Sequence, residues 1–142
     1  MTIAAILGSK GHDVVSIDVS ARVADAVALL AEKRIGAVPV FDGGTVAGIF
    51  SERDVIIGLQ RDGVQALDRS VGDVMTAPPI TVEPDHPVMG ALSLMTRRRI
   101  RHLPVLEGGR LVGFVSIGDL VKYRIDKIEA EAVAMRDYIQ SA

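Results

Sequence analysis

Two heptapeptides decide the fold of this chain: GIFSERD at residues 48–54 and GFVSIGD at residues 113–119. Each reads glycine, two apolar residues, serine, two variable residues and aspartate. When the chain is aligned with itself at this offset of 65, residues 15–55 match residues 80–120 without a gap, and 12 of 41 aligned positions are identical. The repeat predicts two copies of one supersecondary unit.

Each copy predicts the order strand, helix, β-hairpin, helix. Alternating residues 14–19 and 80–83 predict the first strands, and Ser20 and Asp85 follow at the positions of helix N-caps. Apolar residues at helical spacing come next, and then two apolar runs flank an acidic residue and Gly-Gly, which is typical of a hairpin. We therefore expect an α/β (α+β) fold.

The repeat divides the single module, residues 1–142, into a first motif at 1–64 and a second at 65–142. The second begins with a linker helix and a Pro-Pro entry to its strand. A short helix after the first heptapeptide should end at Gly63, whereas the last helix should run to about residue 140. Along that last helix, apolar residues recur at heptad-like spacing: Val121, Ile125, Ile128, Ala132, Met135 and Ile139. This seam could lie back on its own domain or pair with a second chain, and we favour pairing.

The composition excludes several classes of protein. Apolar residues make up 49% of the chain, enough for one core, but aromatics are only 4% and Cys is absent, so disulfides and thiolate metal sites are excluded. The net charge of -2 gives no general nucleic-acid footprint. Neither a secretory signal nor a membrane span is indicated. We expect a cytoplasmic protein without membrane or nucleic-acid partners.

Catalytic motifs are missing from the sequence. Its three histidines have no metal-ligand spacing, and there is no P-loop, dinucleotide fingerprint or convincing nucleophile with a base. We therefore predict a binding protein rather than an enzyme, with no catalytic residue, catalytic cofactor or metal site.

The repeated Ser-x-x-Asp allows two compatible interpretations. At the start of a helix, Ser51 or Ser116 can cap the helix while Asp54 or Asp119 lies favourably at its positive end. A carboxylate at such a corner can also accept hydrogen bonds from the vicinal diol of a ribose. Backbone N–H groups and the serine hydroxyl can meet phosphate or sugar oxygens there.

The whole pattern, with VPV and LPV before a Gly-Gly hairpin and then the two heptapeptides, resembles a tandem pair of CBS domains, named for cystathionine β-synthase. The resemblance covers about residues 3–123. It implies two β-α-β-β-α motifs related by a pseudo-twofold axis and packed through their sheets, with a long C-terminal helix. It also implies two clefts for adenosine ligands such as AMP, ADP, ATP, S-adenosylmethionine or NAD(H), and a disk-like homodimer.

The resemblance also suggests roles for individual residues. Asp54 and Asp119 would bind ribose hydroxyls. Contacts to ribose or phosphate would come from Ser51, Ser116, Arg53 and Gly118, and the adenine pockets would include Val14, Ile49, Pro79, Ile80 and Phe114.

Arg101 and His102 match family positions that hold basic residues over phosphates. The first copy has Gly36 and Ala37 at these places. We therefore expect the Asp119 cleft to be the better phosphate site. The Asp54 cleft should be weaker, empty or filled by another ligand, with Arg53 as its possible source of positive charge.

The sequence is compatible with three functions. The leading one is a stand-alone sensor that binds an adenosine nucleotide, with AMP the first candidate, and acts in trans on an unidentified effector protein. The alternative is a dimerisation module with vestigial clefts. Nucleic-acid binding through RRRIRH, residues 97–102, is the least favoured, because the patch is small and aromatic stacking partners are scarce.

Overall fold

The computed structural model describes residues 1–141. Its elements are α1 (Ile3–Lys10), β1 (Ile17–Asp18), α2 (Val23–Lys33), β2 (Ala37–Asp42), β3 (Thr45–Ser51), α3 (Glu52–Asp62), a 3₁₀ helix (Gly63–Asp68), α4 (Val71–Val74), α5 (Val88–Arg98), β4 (His102–Glu107), β5 (Arg110–Ser116) and α6 (Ile117–Ser141). The predicted mixed α/β class is confirmed, as are the helix that ends before Gly63 and the long last helix.

Both predicted hairpins form. Strands β2 and β3 pair antiparallel, and so do β4 and β5, with a register irregularity at the same place in each copy. Glycines with positive φ close the turns, Gly43 in the first copy and Gly108 and Gly109 in the second, because glycine adopts this conformation without steric cost. The two hairpins therefore share their strand register, and they differ in the conformation of the second turn glycine.

The first strands are shorter than predicted. In the first copy only Ile17–Asp18 forms a strand, which pairs parallel with β2. In the second copy the strand is reduced to one bridge, between Val82 and Val105. The alternating pattern at these places reflects partial burial in the core more than an extended ladder.

The predicted N-caps, Ser20 and Asp85, are wrong. Helix α2 begins three residues after Ser20, with Arg22 at its N-cap, and α5 has Pro87 at its N-cap. The Ser20 hydroxyl instead donates to the Asp18 carboxylate. Each predicted cap lies two residues before the observed N-cap. A side chain at residue 20 or 85 is therefore too far from the first turn of the helix to cap it.

Backbone from another part of the chain takes over the capping. The N–H of Val23 donates to the carbonyl of Arg69 over 2.8 Å, and the N–H of Val88 donates to the carbonyl of Met1 over 3.2 Å. These paired contacts satisfy helix-end donors that would otherwise need a side chain. They also show that helices α2 and α5 each begin next to a segment that precedes the other copy.

The two cores are built across the repeat. Helix α1 precedes the first copy, yet Ile3, Ile6 and Leu7 belong to the core of the second, with Val88 and Leu103. Helix α4 occupies the equivalent place in the other core, where Val71 is fully buried beside Val23, Leu30, Val38 and Phe50. Packing units therefore do not coincide with the two halves of the sequence, and the division at residue 64 stays a prediction.

The glycine that opens each heptapeptide is required by these crossing segments. A Cβ on Gly113 would lie 2.5 Å from Leu7 Cδ2 of α1. A Cβ on Gly48 would lie 2.6 Å from the Thr76 carbonyl oxygen and 2.8 Å from Met75 Sδ. Each hairpin thus has one position where the other segment packs directly on its backbone.

Helix α6 extends beyond the cores. Leu120 in its first turn is fully buried, but the predicted seam is exposed, from 42% at Val121 to 66% at Ile139. The seam therefore does not pack on the chain's own cores. Within residues 1–141, none of the helices combines the length and apolarity needed to cross a membrane.

Replacing Leu7 by Ala tests the crossing of α1. Leu7 is 1% exposed in the second core, and we expect a loss of about 2–5 kcal/mol in the free energy of unfolding, the usual range for a buried Leu→Ala change. Leu59→Ala on α3, where the side chain is 39% exposed, is the control and should cost less than about 1 kcal/mol. Urea denaturation measures both, and equal effects would contradict this packing.

Candidate functional site

Each Ser-x-x-Asp forms a corner between a hairpin and a helix, and both act as caps. At the first corner, residues 51–54, the N–H of Ser51 donates to Asp54 Oδ2 over 2.9 Å. At the second corner, residues 116–119, the N–H of Ser116 donates to Asp119 Oδ2 over 2.8 Å, and the N–H of Asp119 donates to Ser116 Oγ over 3.1 Å. The capping interpretation of the motif is correct at both corners.

The two aspartates have different additional partners. Asp54 is buried, 7% exposed, and its Oδ1 accepts a hydrogen bond of 2.9 Å from the hydroxyl of Thr76. Thr76 lies in the linker, outside either heptapeptide, and was not among the predicted site residues. The neutral hydroxyl satisfies the carboxylate without cancelling its charge.

Asp119 instead forms an ion pair with Lys10, the last residue of α1. Lys10 Nζ lies 2.6 Å from Asp119 Oδ2 and also donates to the carbonyl of Phe114 over 2.6 Å. Burial alone would raise the pKa of Asp119, but hydrogen bonds from Lys10 and Ser116 outweigh it and hold the pKa of this carboxyl below its usual value. Lys10 was also missed, because nothing in the local sequence connects it to residue 119.

A cleft adjoins the first corner, and we call it the first cleft. It is lined by three sets of residues: the corner with its preceding strand, the linker, and the turn from α5 to β4. They are Ile49, Ser51, Glu52, Arg53 and Asp54; Thr76, Pro78, Pro79 and Ile80; and Arg98, Ile100, Arg101 and His102, with Gly36 beside them.

The second cleft adjoins the second corner. Its walls are the N-terminal segment, the turn from α2 to β2, and the corner itself: Lys10, Asp13, Val14 and Val15; Arg34, Ile35, Gly36 and Ala37; and His102, Phe114, Ser116 and Asp119. Its basic groups are Lys10 and Arg34, and its acidic groups are Asp13 and Asp119. Formal charge is therefore balanced here, whereas the first cleft has three arginines against two carboxylates.

The predicted distribution of basic residues between the clefts is wrong. Arg101 lines the first cleft, with Asp54, while Ala37 lines the second, with Asp119, and Gly36 lines both. The expectation that Arg101 makes the Asp119 cleft the better phosphate site is thereby reversed. His102 lies between the clefts and lines both.

The reason for this reversal is that the two hairpins meet at their first residues. A Cβ on Gly36 would lie 3.1 Å from Glu52 Oε1 and 3.4 Å from His102 Cε1. Arg53 Nη1 also donates to the carbonyl of Arg99 over 2.9 Å, so the turn before β4 reaches the first corner. Arg101 belongs to the second copy, but its side chain therefore lines the first cleft, beside Asp54.

His102 is a packing residue as well as a cleft residue. Its ring stacks on Phe114, with centroids 5.6 Å apart and an angle of 14° between the planes. Burial and the positive charges of Arg101 and Lys10 lower the pKa of His102 below its ordinary value of 6.5. The imidazole therefore carries less positive charge at neutral pH than an ordinary histidine, and the positive charge of the first cleft comes mainly from arginine.

The other predicted site residues divide between the clefts. Ile49, Pro79 and Ile80 line the first, and Val14 and Phe114 line the second. Gly118 lies within the second corner, where a Cβ on it would be 3.6 Å from Ser116 Oγ, but among the described residues 1–141 it is not part of the lining of either cleft. The binding roles assigned to all of these residues remain predictions.

Known proteins resemble the chain along most of its length. The family model for the CBS domain matches residues 10–61 and 71–126. The mitochondrial CBS domain-containing protein CBSX3 of Arabidopsis thaliana is 37% identical over 121 residues, which are 82% of this chain and 59% of that protein. The chain thus spans about three fifths of this relative.

Two solved structures agree with the fold. The CBS-domain containing protein ATU1752 from Agrobacterium tumefaciens superposes with a TM-score of 0.84 at 38% identity, covering 87% of this chain and 92% of that one. CBSX2, solved in complex with AMP, has a TM-score of 0.69 at 30% identity, covering 80% and 88%. The two segments that match the family model, together with the paired hairpins and corners, show that the chain belongs to the CBS domain family. It is a tandem CBS pair.

Proposed function

We propose that the protein is a regulatory sensor that binds an adenosine nucleotide, with AMP the first candidate, in the first cleft. The observation that carries the proposal is the convergence of Arg53, Arg98 and Arg101 on the cleft that contains Asp54. This places groups suited to phosphate and to ribose on one surface. The complex of CBSX2 with AMP supports the choice of ligand.

The ribose would bind at Asp54. An ionised carboxylate has about four acceptor positions, and Asp54 uses three, with the N–H and hydroxyl of Ser51 and the hydroxyl of Thr76. One position is left for a ribose hydroxyl, and the Thr76 and Ser51 oxygens can accept from the second hydroxyl of the diol. We therefore expect the corner to accept this sugar without losing its cap.

The phosphate would bind at the arginines and the base against apolar side chains. Guanidinium groups form bidentate, charge-assisted hydrogen bonds with phosphate oxygens, and Arg98 and Arg101 enter the cleft from the turn between α5 and β4. Ile49 of the first copy, with Pro79 and Ile80 at the entry to the second, would give the adenine ring an apolar wall. A nucleotide in this position touches both copies and the linker between them.

Such a ligand could act on a partner by changing the relative position of the two copies. Arg53 holds the carbonyl of Arg99 across the cleft, so its recruitment to phosphate would alter a contact between copies. A ligand shifts a conformational equilibrium only by its difference in affinity for the two states. The effector and a cytoplasmic location stay predictions, and one relative is named as mitochondrial.

Calorimetry with AMP and adenosine tests the proposal. Asp54→Ala should weaken both ligands by about 1.5–3 kcal/mol, the range for hydrogen bonds to a charged group, or about 10- to 150-fold. Arg101→Ala should weaken AMP but leave adenosine unchanged, because adenosine lacks the phosphate.

Arg110→Ala is the matched control, since Arg110 lies at the far end of the β4–β5 hairpin. Asp54→Asn keeps an acceptor for the cap and separates binding from folding. An Asp54→Ala protein that is folded and binds AMP as tightly as the wild type would disprove the proposed site.

We also propose that the chain forms a homodimer through the seam of α6. Val121, Ile125, Ile128, Met135 and Ile139 are each at least 42% exposed, and they recur at a spacing that pairs helices. Large exposed apolar patches of this kind mark interaction surfaces. The proposal accounts for a surface that the chain's own cores leave uncovered.

Light scattering after size-exclusion chromatography measures this association. Ile128→Glu should convert a dimer to monomers at micromolar concentration, because a carboxylate would be buried in the seam without a partner. Ala130→Glu, off the seam on the same helix, should leave the mass unchanged. A wild-type protein that is monomeric at these concentrations would contradict the proposal.

A further inference from the structure

The two corners differ in the groups that donate hydrogen bonds to the aspartate and to the backbone carbonyl two residues before the serine. At the first corner, the N–H of Thr76 donates to the carbonyl of Ile49 over 2.9 Å, and its hydroxyl donates to Asp54. At the second corner, the single group Lys10 Nζ donates both to the carbonyl of Phe114, the counterpart of Ile49, and to Asp119. One ammonium group therefore replaces two neutral donors.

The crossing of α1 delivers Lys10 to this position. Helix α1 is fixed in the second core by Ile3, Ile6 and Leu7, which are at most 3% exposed, and Lys10 is its last residue. A cation is also favoured at a helix C-terminus by the helix dipole. The side chain is thus held near Asp119 by a rigid element, and little additional ordering is needed to form the pair.

The ion pair competes with a ligand that needs Asp119 Oδ2. Lys10 Nζ and the N–H of Ser116 both bind Asp119 Oδ2. A ribose hydroxyl is a neutral donor and gains less from a carboxylate than an ammonium does. A ribose diol that donates to both carboxylate oxygens needs Oδ2, so it would have to displace Lys10 from that oxygen and would leave the ammonium without one of its two present acceptors.

Building on the proposed nucleotide function, we propose that Lys10 is an internal occupant of the second cleft that confines nucleotide binding to the first cleft. Loss of its positive charge opens the second cleft to an adenosine ligand. Lys10 is thus a specificity-determining residue that acts between two sites in one chain, and the side chains of Lys10 and Asp119 are 37% and 27% exposed, accessible to an entering ligand.

The opposite role for Lys10 makes a different prediction. If Lys10 were a phosphate-binding group of the second cleft, it would leave Asp119 when a nucleotide arrived, and its removal would weaken binding there. The two roles are therefore separated by the sign of the change in affinity when the ammonium is removed.

The test is the number of AMP and adenosine molecules bound per chain, measured by calorimetry and equilibrium dialysis. The wild type should bind one. Lys10→Met, which keeps the aliphatic stem, should bind two, with the second site at least about tenfold tighter than any second site of the wild type. Lys33→Met, an exposed lysine on α2, is the matched control and should bind one.

A second set of variants assigns the new site. Asp54→Ala removes the first site, and combining it with Lys10→Met should restore one site, which a further Asp119→Ala should abolish. Circular dichroism and the melting temperature confirm folding, and Lys10→Gln, which still offers a neutral donor to Phe114, replaces Lys10→Met if that protein is unfolded.

Two results would overturn the inference. One is a second AMP bound by the wild type and weakened by Lys10→Met; the other is a folded Lys10→Met protein, or Lys10→Gln in its place, that still binds only one. Failure of the proposed first site looks different: the wild type would bind nothing, and Lys10→Met alone would bind one molecule that depends on Asp119.

Discussion

The close approach of two crossing segments to two hairpin glycines is the constraint on which the rest of the structure depends. Leu7 packs on the backbone of Gly113, and Met75 and Thr76 pack on the backbone of Gly48. A Cβ at either glycine would collide with these residues. These contacts seat α1 and the linker in the cores, and they bring Lys10 and Thr76 to the aspartates. Core packing and cleft chemistry therefore have one structural origin.

The two clefts show how a repeat can keep its backbone and change its electrostatics. Both corners use the same serine and aspartate as a cap, and the hairpins have the same register and the same irregularity. The main differences lie in residues that reach the corner from elsewhere, which are Thr76, Arg98 and Arg101 in the first cleft and Lys10 and Arg34 in the second. A duplicated site can diverge in this way without altering the residues that define its motif.

Much of the fold could be predicted because it depends on local patterns. The repeat, the Gly-Gly turns and the apolar spacing gave the hairpins and the helices that follow them. The N-caps at Ser20 and Asp85 were wrong because backbone carbonyls of Arg69 and Met1 satisfy the helix ends. Self-alignment has no information about such long-range donors and acceptors.

The site was predictable at the corners and less so around them. Asp54, Asp119 and both serines occupy the corners that their motif indicated. Arg101 was assigned to the wrong cleft because alignment places a residue in its own copy, whereas its side chain crosses to the other. Thr76 and Lys10 carry no motif, and only the three-dimensional packing connects them with the aspartates.

The placement of α1 also bears on how such a protein could have arisen. Because α1 completes the core of the second copy and α4 that of the first, a single ancestral unit could not have closed its own core by the contacts seen here. Two separate half-length chains could do so by exchanging their N-terminal helices, as domain-swapped dimers do. Gene fusion would then have turned an exchange between molecules into one within a single polypeptide.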